Sequence, residues 1–165
     1  MKTRFKGVFA LLLCLLGATG AAAETGVGPG SILLGQSVVL TGPQMENGLN
    51  YANGIKLYLD QINAKGGVHG RKLQIISLDD AYDPKKTAAN TTKLISEEGV
   101  FALFGYAGTG KTLAALPIAE KSQVPLIAPL SGADVLREKA PRVLFVMRAG
   151  YQDELARMVE QLVTT

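Results

Sequence analysis

Eight consecutive residues, Gly105-Tyr106-Ala107-Gly108-Thr109-Gly110-Lys111-Thr112, combine glycines, hydroxyls and a lysine immediately after the apolar run Val100-Phe101-Ala102-Leu103-Phe104. The apolar run reads as a strand buried on both faces, and the Ala/Leu-rich stretch over residues 113–119 reads as a helix. A strand, a glycine turn and a helix N-terminus together make an anion site. Backbone N–H groups are unpaired there, and the helix dipole favours negative charge. Read literally, the eight residues fit the phosphate-loop pattern G-x-x-x-x-G-K-[ST], with a lysine for the phosphates and a hydroxyl for magnesium.

Three features weigh against a nucleotide. Phosphoryl transfer also needs a carboxylate for magnesium, normally after a later apolar strand. No later strand ends in one: residues 124–128 run into Pro129, and residues 142–147 run into Arg148-Ala149. The loop follows the third strand of the chain, whereas the phosphate loop usually follows the first. The N-terminus also carries a secretory signature. Lys2, Arg4 and Lys6 precede an apolar stretch over residues 8–16, and Ala21-Ala22-Ala23 offers a cleavage site before Glu24. That stretch is too short for a bilayer span, which needs about 20 residues. The expected destination is therefore a compartment outside the cytoplasm, where ATP is not expected.

The 165-residue length suits one core. Of the 17 Lys and Arg, three lie in the leader, so its removal leaves as many basic as the 14 acidic residues. The basic character belongs to the leader and gives no reason to expect nucleic acid as a partner. Cys14, the single cysteine, leaves with it, and no disulfide or thiol chemistry is expected. No Ser/His/Asp or Cys/His set can be assembled, so the expectation is a non-enzyme without a cofactor or metal. His69 sits in a turn before a strand. Asp79-Asp80 at a strand end read as caps for the following loop or helix. Lys111 opposes the helix dipole, so it is read as solvated or as holding an anionic ligand.

The positioning elements follow from periodicity. Strands are expected at residues 32–40, 73–78, 100–104, 124–128 and 142–147. A helix over residues 49–64 carries an apolar stripe of Ala52, Ile55, Leu59 and Ile62 and closes at Gly66-Gly67. Asp83-Pro84 signals a second helix, running to about residue 98, through a carboxylate N-cap and a first-turn proline. A third runs to about residue 122, with Pro117 expected to disturb its hydrogen bonding. Short and amphipathic helices are expected at residues 133–138 and 152–163. Strand alternating with helix means an α/β fold with a doubly wound parallel sheet. Ligands then sit beyond the C-terminal strand ends, where the loops at residues 41–48, 105–112 and 129–132 meet.

The segment Asn63-Ala64-Lys65-Gly66-Gly67-Val68-His69-Gly70-Arg71-Lys72-Leu73, followed by Asp79-Asp80-Ala81-Tyr82-Asp83-Pro84, closely resembles the leucine/isoleucine/valine-binding protein family. So do Gly105-Tyr106-Ala107-Gly108-Thr109 and Val124-Pro125-Leu126-Ile127-Ala128-Pro129. The resemblance implies a type I periplasmic substrate-binding protein of an ABC importer, with two α/β lobes closing on an amino acid or similar small carboxylate. The implied partners are that solute and a membrane permease. Residues 24–150 would be the first lobe, and residues 151–165 would begin a second that the chain does not complete. Thr109 would hold the ligand carboxylate. Leu130, Ser131 and Gly132 match a loop that binds the ligand ammonium through its first and third positions, with Gly132 lacking the hydroxyl expected there. Asn47 matches a loop position that is tyrosine in the branched-chain binders. Tyr82 and Gly108 stand where some members pair two cysteines. A sensory ligand-binding domain of a receptor would share this fold.

Overall fold

A computed structural model describes residues 24–138 and 140–164; the leader reading falls on residues outside these. The elements are β1 (Ser31–Val38), α1 (Met45–Ala64), β2 (Lys72–Asp79), α2 (Pro84–Ser96), β3 (Ala102–Phe104), α3 (Thr109–Lys121), β4 (Leu126–Ile127), α4 (Val135–Glu138), β5 (Leu144–Phe145) and α5 (Tyr151–Thr164). All five strands pair in parallel in the order β2-β1-β3-β4-β5. The chain steps from β1 to β2 in one direction and from β2 to β3 in the other. With right-handed crossovers this puts α1 on one face of the sheet and α2 and α3 on the other.

Alternating strand residues divide the core accordingly. Leu103, Leu126 and Leu144 pack with Leu94 of α2 and with Ala115 and Ala119 of α3. Leu34 and Ala102 pack with Leu59 of α1, joined by Ile55, Phe104 and Ile127. On the α1 side an open groove of about 350 Å³ is lined by Tyr51, Ile55, Tyr58, Leu59 and Phe104.

Local sequence explains the element ends. Asp83 caps α2 by accepting from the Lys85 N–H at 2.8 Å, with Pro84 in the first turn. Strands β3, β4 and β5 come out shorter than their apolar runs suggest. Val100 N–H donates to the Leu94 carbonyl, so ladder pairing begins only afterwards. Pro125 has no N–H, and Ala128 at φ 53° turns the chain out of the β region, which confines β4 to two residues. The helix α1 begins at Met45, ahead of the expected start at residue 49, which takes Asn47 out of the loop and into the first helical turn. Pro117 does not break α3. It removes only the amide that would meet the Leu113 carbonyl, and Leu113 is exposed to water.

Candidate ligand-binding site

The reversal of chain direction between β1 and β3 opens a crevice at the C-terminal strand ends, and the glycine loop lies beside it. Gly105 holds the turn at φ 66°, and a Cβ there would lie 2.6 Å from Ile55 Cδ1, so only glycine fits. Buried Gln36 of β1 donates to the Gly105 carbonyl at 3.2 Å and accepts from Ser77 Oγ at 2.9 Å. Tyr106 is wholly buried, its hydroxyl 3.0 Å from Thr91 Oγ1 of α2, and burial pushes its phenol well above the ordinary value. The loop is thus pinned to both β1 and α2.

The helix α3 starts at Thr109, not after it. Gly108 is the N-cap, and no side chain caps the helix. The first helical hydrogen bond runs from Thr112 N–H to the Gly108 carbonyl, so the amides of Thr109, Gly110 and Lys111 have no partner within the helix. The Thr109 hydroxyl, free of capping, lies 2.8 Å from Ser131 Oγ. Thr109 is thus the first residue of the helix and not its N-cap.

Lys111 corrects a second reading. It is neither solvated nor turned to the crevice: its Nζ donates to both carboxylate oxygens of Asp80 at 3.1 Å, and both side chains are buried. The Tyr82 ring lies over the ammonium at 5.1 Å. Thr112 Oγ1, which would serve magnesium in a phosphate loop, is buried and donates to the Gly108 carbonyl at 2.9 Å. Both polar side chains that define the phosphate-loop pattern are thus occupied inside the fold.

Asp80 also accepts from Ser37 Oγ, Thr87 Oγ1 and Tyr82 N–H. Its neighbour Asp79 accepts from Leu40 N–H, Ala81 N–H and Thr41 Oγ1. Burial alone would raise the Asp79 carboxyl, but the Thr41 hydroxyl and the backbone donors outweigh it and hold the group at about 2. The capping role expected for Asp79-Asp80 is what these bonds perform.

The second loop meets the first. Leu130 N–H donates to the Tyr106 carbonyl at 2.7 Å, and the Leu130 carbonyl accepts from Gly108 N–H at 3.2 Å. The Leu130 side chain is half-exposed at the rim. Ser131 is buried, and its Oγ also accepts from Ala133 N–H at 3.2 Å, so its hydroxyl braces Thr109 instead of replacing the one Gly132 lacks. Gly132 is buried, and a Cβ there would lie 2.5 Å from Tyr151 Cδ1. Its carbonyl accepts from Tyr151 N–H at 2.8 Å. Tyr151 was not singled out from sequence, and neither was the Arg148 guanidinium 5.2 Å from its ring. Arg148 makes two bonds to Glu154, which hold that carboxyl below its ordinary value. Asn47 shares this sheet edge, but its side chain is exposed and donates to Gln44 Oε1 at 3.0 Å. The structure thus brings the Thr109 loop and the Leu130-Ser131-Gly132 loop together through the Thr109–Ser131 and Gly108–Leu130 bonds, and leaves Asn47 apart.

His69 is exposed in the tight turn between Val68 and Arg71, in keeping with a turn role. Among the described residues no cluster of three or more His, Cys, Asp or Glu could hold a metal, and no helix is long and apolar enough to cross a membrane.

Comparison with known proteins places this geometry. The chain is 30% identical over 151 residues to Leu/Ile/Val-binding protein homolog 7 of Brucella abortus, an alignment covering 90% of this chain and 37% of that protein. The crystal structure of a possible leucine/isoleucine/valine-binding protein from Rhodopirellula baltica superposes with a TM-score of 0.75 at 33% identity, covering 88% of this chain and 38% of that one. A fatty acid ABC transporter substrate-binding protein from Thermomonospora curvata superposes with a TM-score of 0.74 at 26% identity, covering 87% and 36%. The chain thus spans about a third of the length of the relatives it matches. The sequence profile of the periplasmic binding protein family matches residues 31–165, and the chain belongs to that family.

Proposed function

We propose that this protein is the solute-binding component of an ABC importer, capturing an amino acid or similar small carboxylate in the periplasm and presenting it to a membrane permease. One observation carries the reading. The Thr109 hydroxyl, braced by Ser131 at 2.8 Å, stands beside three helix-start amides without helical partners, at the C-terminal edge of a parallel sheet. Such an arrangement suits a carboxylate, which accepts from amide and hydroxyl together while the helix dipole favours its charge. The family and the names of the relatives support the same chemistry, since amino acids and fatty acids share the carboxylate.

In this reading residues 24–150 form the first of two lobes, residues 151–165 begin the second, and a leader at residues 1–23 directs export. The first lobe contributes the carboxylate contacts, and hinge closure divides the binding energy between the lobes. The chain acts as a carrier and not as an enzyme. The test is thermal stabilisation of the full-length protein across a panel of L-amino acids and monocarboxylates, with magnesium-ATP as the counter-probe. A rise in melting temperature with one of the carboxylates, and none with magnesium-ATP, is the expected result. Stabilisation by magnesium-ATP alone would overturn the reading.

A further inference from the structure

We propose that the buried Asp80–Lys111 pair, roofed by Tyr82, is a clamp that positions the ligand-binding turn of α3. The inference rests on the function proposed above and adds residues that lie outside the rim itself. A lysine as the third residue of a helix stands against the dipole, and burying its ammonium removes it from water. Two unfavourable features at one residue call for a compensating role, and the contacts supply it.

The Asp80 carboxylate gathers the ends of four elements at one point. Ser37 Oγ from β1 donates to it at 2.9 Å, Thr87 Oγ1 from α2 at 3.2 Å, Tyr82 N–H from the loop after β2 at 2.9 Å, and Lys111 Nζ from α3 at 3.1 Å to each oxygen. Lys111 is two residues beyond Thr109, within the turn whose amides have no helical partner. Fixing its ammonium therefore fixes the direction of those amides and of the Thr109 hydroxyl. Tyr82 closes the arrangement from outside. Its ring covers the ammonium at 5.1 Å, and its hydroxyl would lie 3.5 Å from a Cβ on Gly108, so one side chain bridges the loop after β2 and the glycine loop. Because the lysine's charge is matched by Asp80, it is turned away from any solute. The turn is left to recognise a carboxylate through amides and one hydroxyl. Lys111 and Asp80 are positioning residues, acting through Thr109.

The test is made on the full-length protein with the charge-free pair Asp80→Asn/Lys111→Met, which avoids leaving one buried charge alone, and separately with Tyr82→Ala. Hydrogen exchange at residues 80–83 and 108–112 reads the clamp directly, the melting temperature reads the fold, and calorimetry with L-leucine reads the site. The double variant is expected to speed exchange in those two segments about tenfold or more, with the remaining amides unchanged. Its L-leucine affinity should fall about tenfold. Tyr82→Ala should show the same local pattern at smaller size. Unchanged exchange in both segments, or an equal rise across the whole sheet, would overturn the proposal. Local loosening in a protein whose unmutated form binds no amino acid of the panel would support the clamp and count against the amino-acid reading.

Discussion

Lys111 Nζ lies 3.1 Å from each carboxylate oxygen of Asp80, with both side chains almost wholly withdrawn from water. Breaking such a pair leaves one charge buried without a partner, whereas removing both does not. Lys111→Met alone is expected to lower stability by about 3–5 kcal/mol, and Asp80→Asn/Lys111→Met by less than about half of that. Urea unfolding followed by circular dichroism measures both. A single variant as stable as the parent would contradict the account.

The same distances explain what the sequence made legible and what it did not. The Ala52, Ile55, Leu59 and Ile62 stripe announced α1 because helical periodicity is local, and Asp83-Pro84 announced α2 for the same reason. The parallel direction of the strands followed from their alternation with helices. The Asp80–Lys111 pair joins residues from different elements that only folding brings together, so Asp80 looked like a cap and Lys111 like a solvated or anion-holding cation. The role of Gly132 was equally hidden, because the Tyr151 ring that excludes a side chain there comes from the far side of β5. Thr109 was legible as a residue at a helix start, but its hydroxyl bonds Ser131 across the rim, a contact between separate loops that local sequence does not show.

Thr109 should contribute to affinity through its hydroxyl and its N–H separately. Thr109→Val removes only the hydroxyl and is expected to weaken solute binding by about 1 kcal/mol, or roughly fivefold. Thr109→Ser should bind nearly as the parent does. Ser131→Ala should weaken binding less than Thr109→Val, because it loosens the donor without deleting it. Calorimetric titrations with the solute identified by the panel rank the three, and Thr109→Val binding at full strength would count against the assignment.

Gly132→Ala forces a Cβ to within 2.5 Å of Tyr151 Cδ1 and 3.0 Å of the Ala149 carbonyl. The ring is the closer obstacle and the carbonyl stands at the margin of contact, so a loss of about 1–3 kcal/mol is expected, most of it from the ring. Tyr151→Ala in the same background should recover the larger part of it. Thermal melts of the single and double variants test this, and additive losses would show that the ring is not the obstacle.

Asp79 gives stability a defined dependence on acid. Its carboxyl titrates at about 2 in the folded chain against an ordinary 3.8, so the folded state favours the charged form. That contribution is present above the ordinary value and is lost as pH falls through about 4 towards about 2. After solvent screening it amounts to about 1–2 kcal/mol at neutral pH. Urea midpoints of the parent and of Asp79→Asn should therefore converge as pH falls through this window. Curves that stay parallel down to about pH 2 would contradict the assignment.

The most direct measurement is a crystal structure of the full-length protein with the solute that stabilises it most. The account predicts a carboxylate oxygen within hydrogen-bonding distance of both the Thr109 N–H and the Thr109 hydroxyl, with Lys111 still bonded to Asp80. A solute bound away from Thr109, or a nucleotide phosphate held by a Lys111 released from Asp80, would contradict it.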